Sequence, residues 1–396
     1  MKVAHLISNY LPNIGGAQVC VHQIANNTIK RGHKAVVITP TRDASDSKYN
    51  FLYEIIRLNN LLNKFLFINF SLGKLYLEKV LNDIQKRYNF DIWQVTVGYP
   101  LGAASVDFFN RNMIPCILRC SGEDIQVLHD VGYGYRLDKK VDTIIKDKYK
   151  KFSAFVTASE NTKKDYLLLG IPNDKLFIIP NGVDFAKFQM YVNKKRVRNE
   201  LGIQEGERLI ITVGRNHPKK GFKYIPEIMK QLLRKGSRVK WLLVGKDGWR
   251  IKELAEREGV GEYLINLELK SHILENGECE VPDIKLIEYY KASDIFVFPT
   301  LIEAFGKVII EAMAAGLPIV TTSAPGANDI IRQNENGIKC VPNDIECFVE
   351  AILKLLSDNE LSNRLRNNAL QDSKRYDWKI VTDMYLKLYE KLLKGV

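Results

Sequence analysis

Lys2-Val-Ala-His-Leu-Ile7, a loop closing in Gly15-Gly16, the helical run Ala17–Arg31, then Gly32 and Lys34-Ala-Val-Val-Ile-Thr39 open the chain. Two short apolar runs flank a longer segment that is stopped by a glycine, which is the pattern of a βαβ unit. Such units build parallel sheets. Strand-like runs continue at Ile92–Val97, Cys116–Arg119 and Ala154–Ala158. After Asn181-Gly-Val-Asp184 the alternation restarts, with strands expected at Leu209–Val213, Trp241–Val244 and Ile295–Pro299 and helices near Phe222–Lys235 and up to Glu258. Two such series predict an α/β protein with two doubly wound, Rossmann-like domains, 1–180 and 181–377, followed by a strongly helical segment within 378–396. A chain of 396 residues exceeds the size at which a single core stops growing, so each domain has a core of its own. No repeat of fixed period and no low-complexity tract interrupts this order.

Composition narrows the class. Hydrophobic content of 46% with 26% charged residues is that of an ordinary globular chain and excludes disorder. No run of 18 apolar residues occurs, Phe65–Leu77 being broken by Asn69, Ser71, Gly73 and Lys74, so no membrane-spanning helix is expected. The first ten residues are too polar for a signal peptide, and a cytoplasmic location is expected. Cys20, Cys116, Cys120, Cys279, Cys340 and Cys347 form no Cys-x-x-Cys pair and no zinc spacing, which predicts reduced, mostly buried thiols. Of the net charge of +12, 24 basic against 16 acidic residues precede the end of Pro180, so +8 lies in the first half. That excess suits an anionic membrane or acceptor; nucleic acid is disfavoured, because no recognition motif accompanies the charge.

The chemistry concentrates in the second half. Glu303-Ala-Phe-Gly-Lys-Val-Ile-Ile-Glu311 follows the apolar run Asp294–Pro299 and leads into Ala312-Met-Ala-Ala-Gly316-Leu-Pro318. Glu303 falls in a loop after a strand and Glu311 in the body of the next helix, at most about 12 Å apart at helical rise. This span suits a nucleotide diphosphate sugar. Glu311 sits among Ile309, Ile310, Ala312 and Met313, which argues against a solvated helix face. Upstream, Gly214-Arg215-Asn-His-Pro-Lys-Lys220-Gly221 joins a strand end to a helix start, where an α/β sheet binds phosphate. Alone it reads as a solvated basic turn; with Glu303 and Glu311 it reads as a diphosphate loop. Gly15-Gly16 either lets the backbone approach a ligand or makes a tight turn, and it lacks the Gly-x-Gly-x-x-Gly fingerprint of dinucleotide sites. Gly245-Lys-Asp-Gly248 is a further loop after a strand.

These motifs resemble family 4 glycosyltransferases, with the paired-Glu element and the Gly-Arg, four residues, Lys-Gly element both in place; the likeness covers nearly the whole chain and is densest from Phe177 to Val341. The resemblance implies a GT-B fold, with the two domains facing a central cleft and a C-terminal helix crossing back to the first. It implies a retaining transfer from a nucleotide sugar, with acceptor contacts in the N-terminal domain. Arg215 and Lys220 would hold the donor diphosphate and, with Glu303, form the catalytic set. Gly15, Gly16, Gly245, Phe305, Gly306, Lys307 and Glu311 would line the donor, Glu311 on the ribose hydroxyls and Gly245 near the base. No Asp-x-Asp motif is paired with the site, so the two cations stand where a metal would, and neither metal nor cofactor is expected. One departure concerns Arg119-Cys120-Ser121-Gly122-Glu123-Asp124: relatives commonly place a His where Ser121 stands. Ser121, Glu123 and Asp124 are therefore the acceptor-side candidates, the two carboxylates able to meet the acceptor, to orient Arg119 or to cap the next segment.

Phe51–Phe70 is crowded with Leu, Ile and Phe around Arg57 and Lys64, which predicts an amphipathic helix. It either packs on its own sheet or lies in a bilayer interface. Together these features predict a cytoplasmic glycosyltransferase, positioned at the inner face of the membrane if that helix binds lipid. Its partners would be a nucleotide sugar and a glycan or lipid-linked acceptor, in surface polysaccharide or glycolipid assembly. The rivals are a nucleotide-sugar epimerase of the same fold and an inactive sugar- or membrane-binding paralogue; a phosphorylase would need a pyridoxal lysine for which no signal exists.

Overall fold

The computed structural model describes residues 1–11, 13–41, 50–269 and 281–395. They form two compact units, residues 1–181 with 281 and 378–395, and residues 182–269 with 282–377. Cys20, Cys116, Cys120 and Cys340 are buried and Cys347 is half-buried, all outside any disulfide among the described residues; Cys279 lies outside the described residues.

The first unit holds β1 (Lys2–Ile7), β2 (Lys34–Thr39), β3 (Glu54–Arg57), β4 (Ile92–Thr96), β5 (Cys116–Arg119), β6 (Ala154–Thr157) and β7 (Leu176–Ile178). All pair in parallel, in the order β3-β2-β1-β4-β5-β6-β7. Alternation along each strand sends Val3, Ile92, Ile117 and Val156 to one apolar cluster and Ala4, Trp93, Leu118 and Phe155 to another. Both faces are covered, which is why these strands read as unbroken apolar runs. Val19, Cys20 and Ile24 of α1 (Gly16–Lys30) cover the first face together with Trp378, Val381, Tyr385 and Tyr389 of the C-terminal helix Trp378–Lys394. The second face is covered by α2 (Leu62–Ile68), α3 (Phe70–Tyr88) and the helices Ala103–Arg111 and Lys139–Tyr149.

Phe51–Phe70 is not one helix. Glu54–Arg57 is an edge strand in register with β2, Val36 opposite Glu54 and Thr39 opposite Arg57. The β-branched pair Ile55-Ile56 suits that half-buried edge better than a helix. After α2 the chain turns at Asn69, whose side chain accepts from the Leu72 N–H at 3.1 Å and starts α3. The two helices close on each other where Gly73 lies against Leu66. Leu62 and Leu66 face inward, while Phe65 and Ile68 are exposed and Phe67 is half-exposed.

The second unit holds β8 (Arg208–Val213), β9 (Val239–Val244), β10 (Leu264–Leu267), β11 (Ile295–Phe298), β12 (Ile319–Thr322) and β13 (Ile338–Cys340), ordered β10-β9-β8-β11-β12-β13. Its parallel strands run outward from β8 in one direction and from β11 in the other. The order reverses between β8 and β11 here, and between β1 and β4 in the first unit. Ligands of open α/β sheets bind beyond the carboxyl ends of the strands at such reversals. Among the described residues no helix is long and apolar enough to cross a membrane.

Candidate active site

Beyond the ends of β8 and β11 two loops meet. The Lys219 carbonyl accepts the Leu301 N–H at 2.7 Å and the Thr300 hydroxyl at 3.2 Å, binding the basic loop to the loop that carries Glu303. Gly245, after β9, donates its N–H to the Leu267 carbonyl at 2.8 Å. A Cβ at Gly245 would stand 2.1 Å from the Gly214 carbonyl oxygen, so only glycine allows the β8 and β9 loops to approach this closely. Arg215 is exposed and makes no ion pair among the described residues. His217 is held below its ordinary pKa by burial and by the charges of Lys219, Arg215 and Lys220, a measure of how much positive charge this loop gathers.

Glu303 is 8% exposed, ion-paired to Lys220 and within 3.4 Å of the Thr300 hydroxyl. Burial alone would raise its pKa; Lys220 and Lys219 outweigh that and hold it below the ordinary carboxylate value. The Lys220 ammonium also lies 5.0 Å over the Phe298 ring. Glu311 is 3% exposed in the helix Lys307–Ala314, pairs with Lys307 one turn earlier and accepts the Tyr290 hydroxyl at 3.2 Å. Each buried carboxylate therefore has its own cation, without which its desolvation would be uncompensated. Gly306 starts this helix at φ +88°, a conformation a side chain would strain. Phe305 is buried with its ring edge-on to Tyr376 at 5.6 Å, so its side chain serves packing.

The candidates in the first unit lie beyond the ends of β1 and β5. Gly15 precedes α1 in extended conformation, and Gly16 has open space where a Cβ would stand. Asp124 is 1% exposed and accepts the N–H groups of Ser121 at 3.1 Å, Gly122 at 3.3 Å and Gly98 at 2.5 Å. Burial raises its pKa against those hydrogen bonds. The Ser121 hydroxyl oxygen is buried with no partner among the described residues, and Glu123 is exposed. Of the roles open to these carboxylates, orienting Arg119 is not seen among the described residues. Strand alternation turns Arg119 to the opposite face, where it donates to the Tyr385 hydroxyl at 2.9 Å and to the Asn181 side-chain carbonyl.

Sequence reasoning missed Thr300 and Tyr290, whose hydroxyls reach the two carboxylates, because no local spacing marks a partner brought in by the fold. It also missed Val97 at the end of β4, a β-branched residue at φ +68°. The Val97 N–H is fixed to the Arg119 carbonyl at 3.0 Å, while Asp124 fixes the next N–H. Strain of this kind is held only where the surroundings over-determine it, and it gathers at functional loops.

Two doubly wound units, the second with a cationic loop and two buried carboxylates at its strand-order reversal, define a GT-B glycosyltransferase fold. Residues 14–187 match the profile of Glycosyltransferase Family 4 and residues 193–372 that of Glycosyl transferases group 1. The chain belongs to the family 4 glycosyltransferases. It is 28% identical over 242 residues to an uncharacterized glycosyltransferase of Methanocaldococcus jannaschii, a match covering 59% of each chain. It is 24% identical over 336 residues to the alpha-monoglucosyldiacylglycerol synthase of Streptococcus pneumoniae, over 84% of this chain and 73% of that one. The match to the first of these thus spans less than two thirds of that relative's length. In backbone the chain is similar to Anabaena HepE in complex with UDP-glucose, with a TM-score of 0.78 at 18% identity, over 99% of this chain and 100% of that one.

Proposed function

We propose that this chain transfers a hexosyl unit from a nucleoside diphosphate sugar to a hydroxyl of a glycan or lipid-linked acceptor, with retention at the anomeric carbon and without a metal. The observation that carries the reading is the gathering of Arg215, Lys220, Glu303 and Glu311 around one strand-order reversal. Transfer builds positive charge at the anomeric carbon while negative charge grows on the departing diphosphate. Lys220, already held by Glu303 and the Phe298 ring, and Arg215 on the same loop would stabilise that growing charge, which is usually the largest catalytic contribution. Glu311 would accept hydrogen bonds from the ribose hydroxyls, about 1.5 to 3 kcal/mol for a charged acceptor. Glu303, which already shares Lys220, would lie on the sugar side of the diphosphate. The names of two similar proteins support the donor and acceptor classes: HepE was solved with UDP-glucose, and the Streptococcus relative is a glucosyldiacylglycerol synthase.

The first unit would present the acceptor. Ser121 is a poor base at neutral pH, so the departing phosphate oxygen would take the proton of the attacking hydroxyl on the same face. The test is NMR of the purified product made from an α-linked donor. An α linkage is expected; a β linkage would overturn retention and point to Glu123 or Asp124 as the base. Consumption of donor without any acceptor-dependent product would overturn the transfer itself.

A further inference from the structure

Leu61, Phe65, Ile68, Leu72, Leu75 and Tyr76 are all exposed and all belong to the corner formed by α2 and α3, Ile68 at 74% and Leu75 at 63%. Single exposed apolar side chains are ordinary, whereas a contiguous group of this size marks an interaction surface. The periodicity of α3 separates the two uses of its apolar residues. Gly73, Leu77, Leu81 and Ile84 recur every three or four residues on the buried face. On the outward face Leu72, Leu75 and Tyr76 fill the first turns, and only then does it become charged, at Lys79, Asp83 and Lys86. A helix serving its own core alone would be polar outward from the start.

Two exposed lysines bound this surface, Lys64 on α2 and Lys79 on α3, and neither is ion-paired among the described residues. The half of the chain that contains them holds +8 of the +12 net charge. Apolar side chains on a short helical corner with unpaired cations at its edge match the headgroup and acyl boundary of a bilayer, where such faces sink roughly 5–10 Å. We propose that the α2–α3 corner docks the protein on an anionic lipid surface.

The surface also leads somewhere. Phe67, half-exposed beside Ile68, packs edge-on to Tyr99 at 5.6 Å and to Tyr135 at 6.0 Å, and Phe70 stacks on Tyr99 at 6.2 Å. Tyr99 follows Gly98, whose N–H is held by Asp124, and the Tyr135 N–H donates to the Glu123 carbonyl at 2.8 Å. An apolar path therefore runs from the docking corner to the acceptor-side loop. Docking itself is independent of the donor site; only its consequence, delivery of a lipid-carried acceptor from the leaflet, rests on the transfer reading above.

The test mixes the full chain with phosphatidylcholine vesicles, with and without phosphatidylglycerol, and measures cosedimentation. Wild type should bind, more strongly with phosphatidylglycerol, and the double variant Ile68→Asp with Leu75→Asp should partition at least about tenfold less. Lys64→Glu with Lys79→Glu should remove only the part that depends on phosphatidylglycerol. All four positions are exposed, so melting temperature and circular dichroism should match wild type. Vesicle binding that is absent in wild type, or equal in wild type and the Asp variant, overturns docking, as does a wild-type dimer that the variant dissociates without any vesicle binding. A wild type that binds vesicles but turns over no nucleoside diphosphate sugar would instead count against the transfer reading.

Discussion

Lys220 and Glu303 lie eighty-three residues apart and meet in an ion pair whose carboxylate oxygen is also within reach of the Thr300 hydroxyl. The pair ties the basic loop after β8 to the loop after β11. A donor diphosphate arriving at this loop would find an ammonium already oriented by a carboxylate and by the Phe298 ring.

Removing the lysine strands a buried charge. Lys220→Met should destabilise the fold by about 3 kcal/mol at neutral pH, and adding Glu303→Gln should recover part of that loss. Glu303 has a folded pKa below its unfolded value near 4.5, so the pair's contribution is complete above that pH and fades as pH falls through the folded value. Urea titrations of wild type and Lys220→Met should therefore differ most near pH 7 and converge in acid. A gap that does not depend on pH would contradict the pairing.

Arg215→Ala and Glu311→Ala should each lower transfer at least about a hundredfold, near 3 kcal/mol, with the fold retained by circular dichroism. Arg215 is exposed, and Lys307, which loses its partner in Glu311→Ala, is only half-buried. Wild-type rates from either folded variant would refute these assignments.

Turnover should persist in excess EDTA, since Arg215 and Lys220 supply the charge that a metal otherwise brings. Activity lost in EDTA and restored by Mg²⁺ or Mn²⁺ would refute metal independence.

His5, in the middle of β1, is fully buried with neither ring nitrogen hydrogen-bonded among the described residues, and burial lowers its pKa to about 4. The unfolded chain takes up this proton below pH 6.5 while the folded chain resists until about 4, so stability attributable to His5 falls across that window by up to about 3 kcal/mol. His5→Leu should flatten the decline and, by removing unpaired polar atoms, stabilise the protein by about 1 to 3 kcal/mol at neutral pH. Denaturation midpoints at pH 7, 5.5 and 4.5 measure both effects.

The parts of the molecule that were legible in the sequence are those governed by local pattern. Strands β1, β2 and β5 fall where their apolar runs place them, because a strand covered on both faces needs nothing else. Glu311 reads as buried from its four apolar neighbours, and it is. Phe51–Phe70 failed because a short edge strand followed by a short helix has too few residues for either period to declare itself. The partners of Glu303, Glu311 and Arg119 could not be read, since Lys220, Tyr290 and Tyr385 reach them only through the order of strands and helices.

The C-terminal helix finishes a sheet that starts at the second residue. Tyr385 and Tyr389 are completely buried against the face shared with α1, and the Tyr389 hydroxyl reaches Gln94 in β4. During translation the N-terminal unit therefore stays incomplete while nearly two hundred residues of the second are made. An apolar sheet face must wait, covered by α1 alone, for residues 378–394 to leave the ribosome, a period in which a nascent chain is exposed to aggregation.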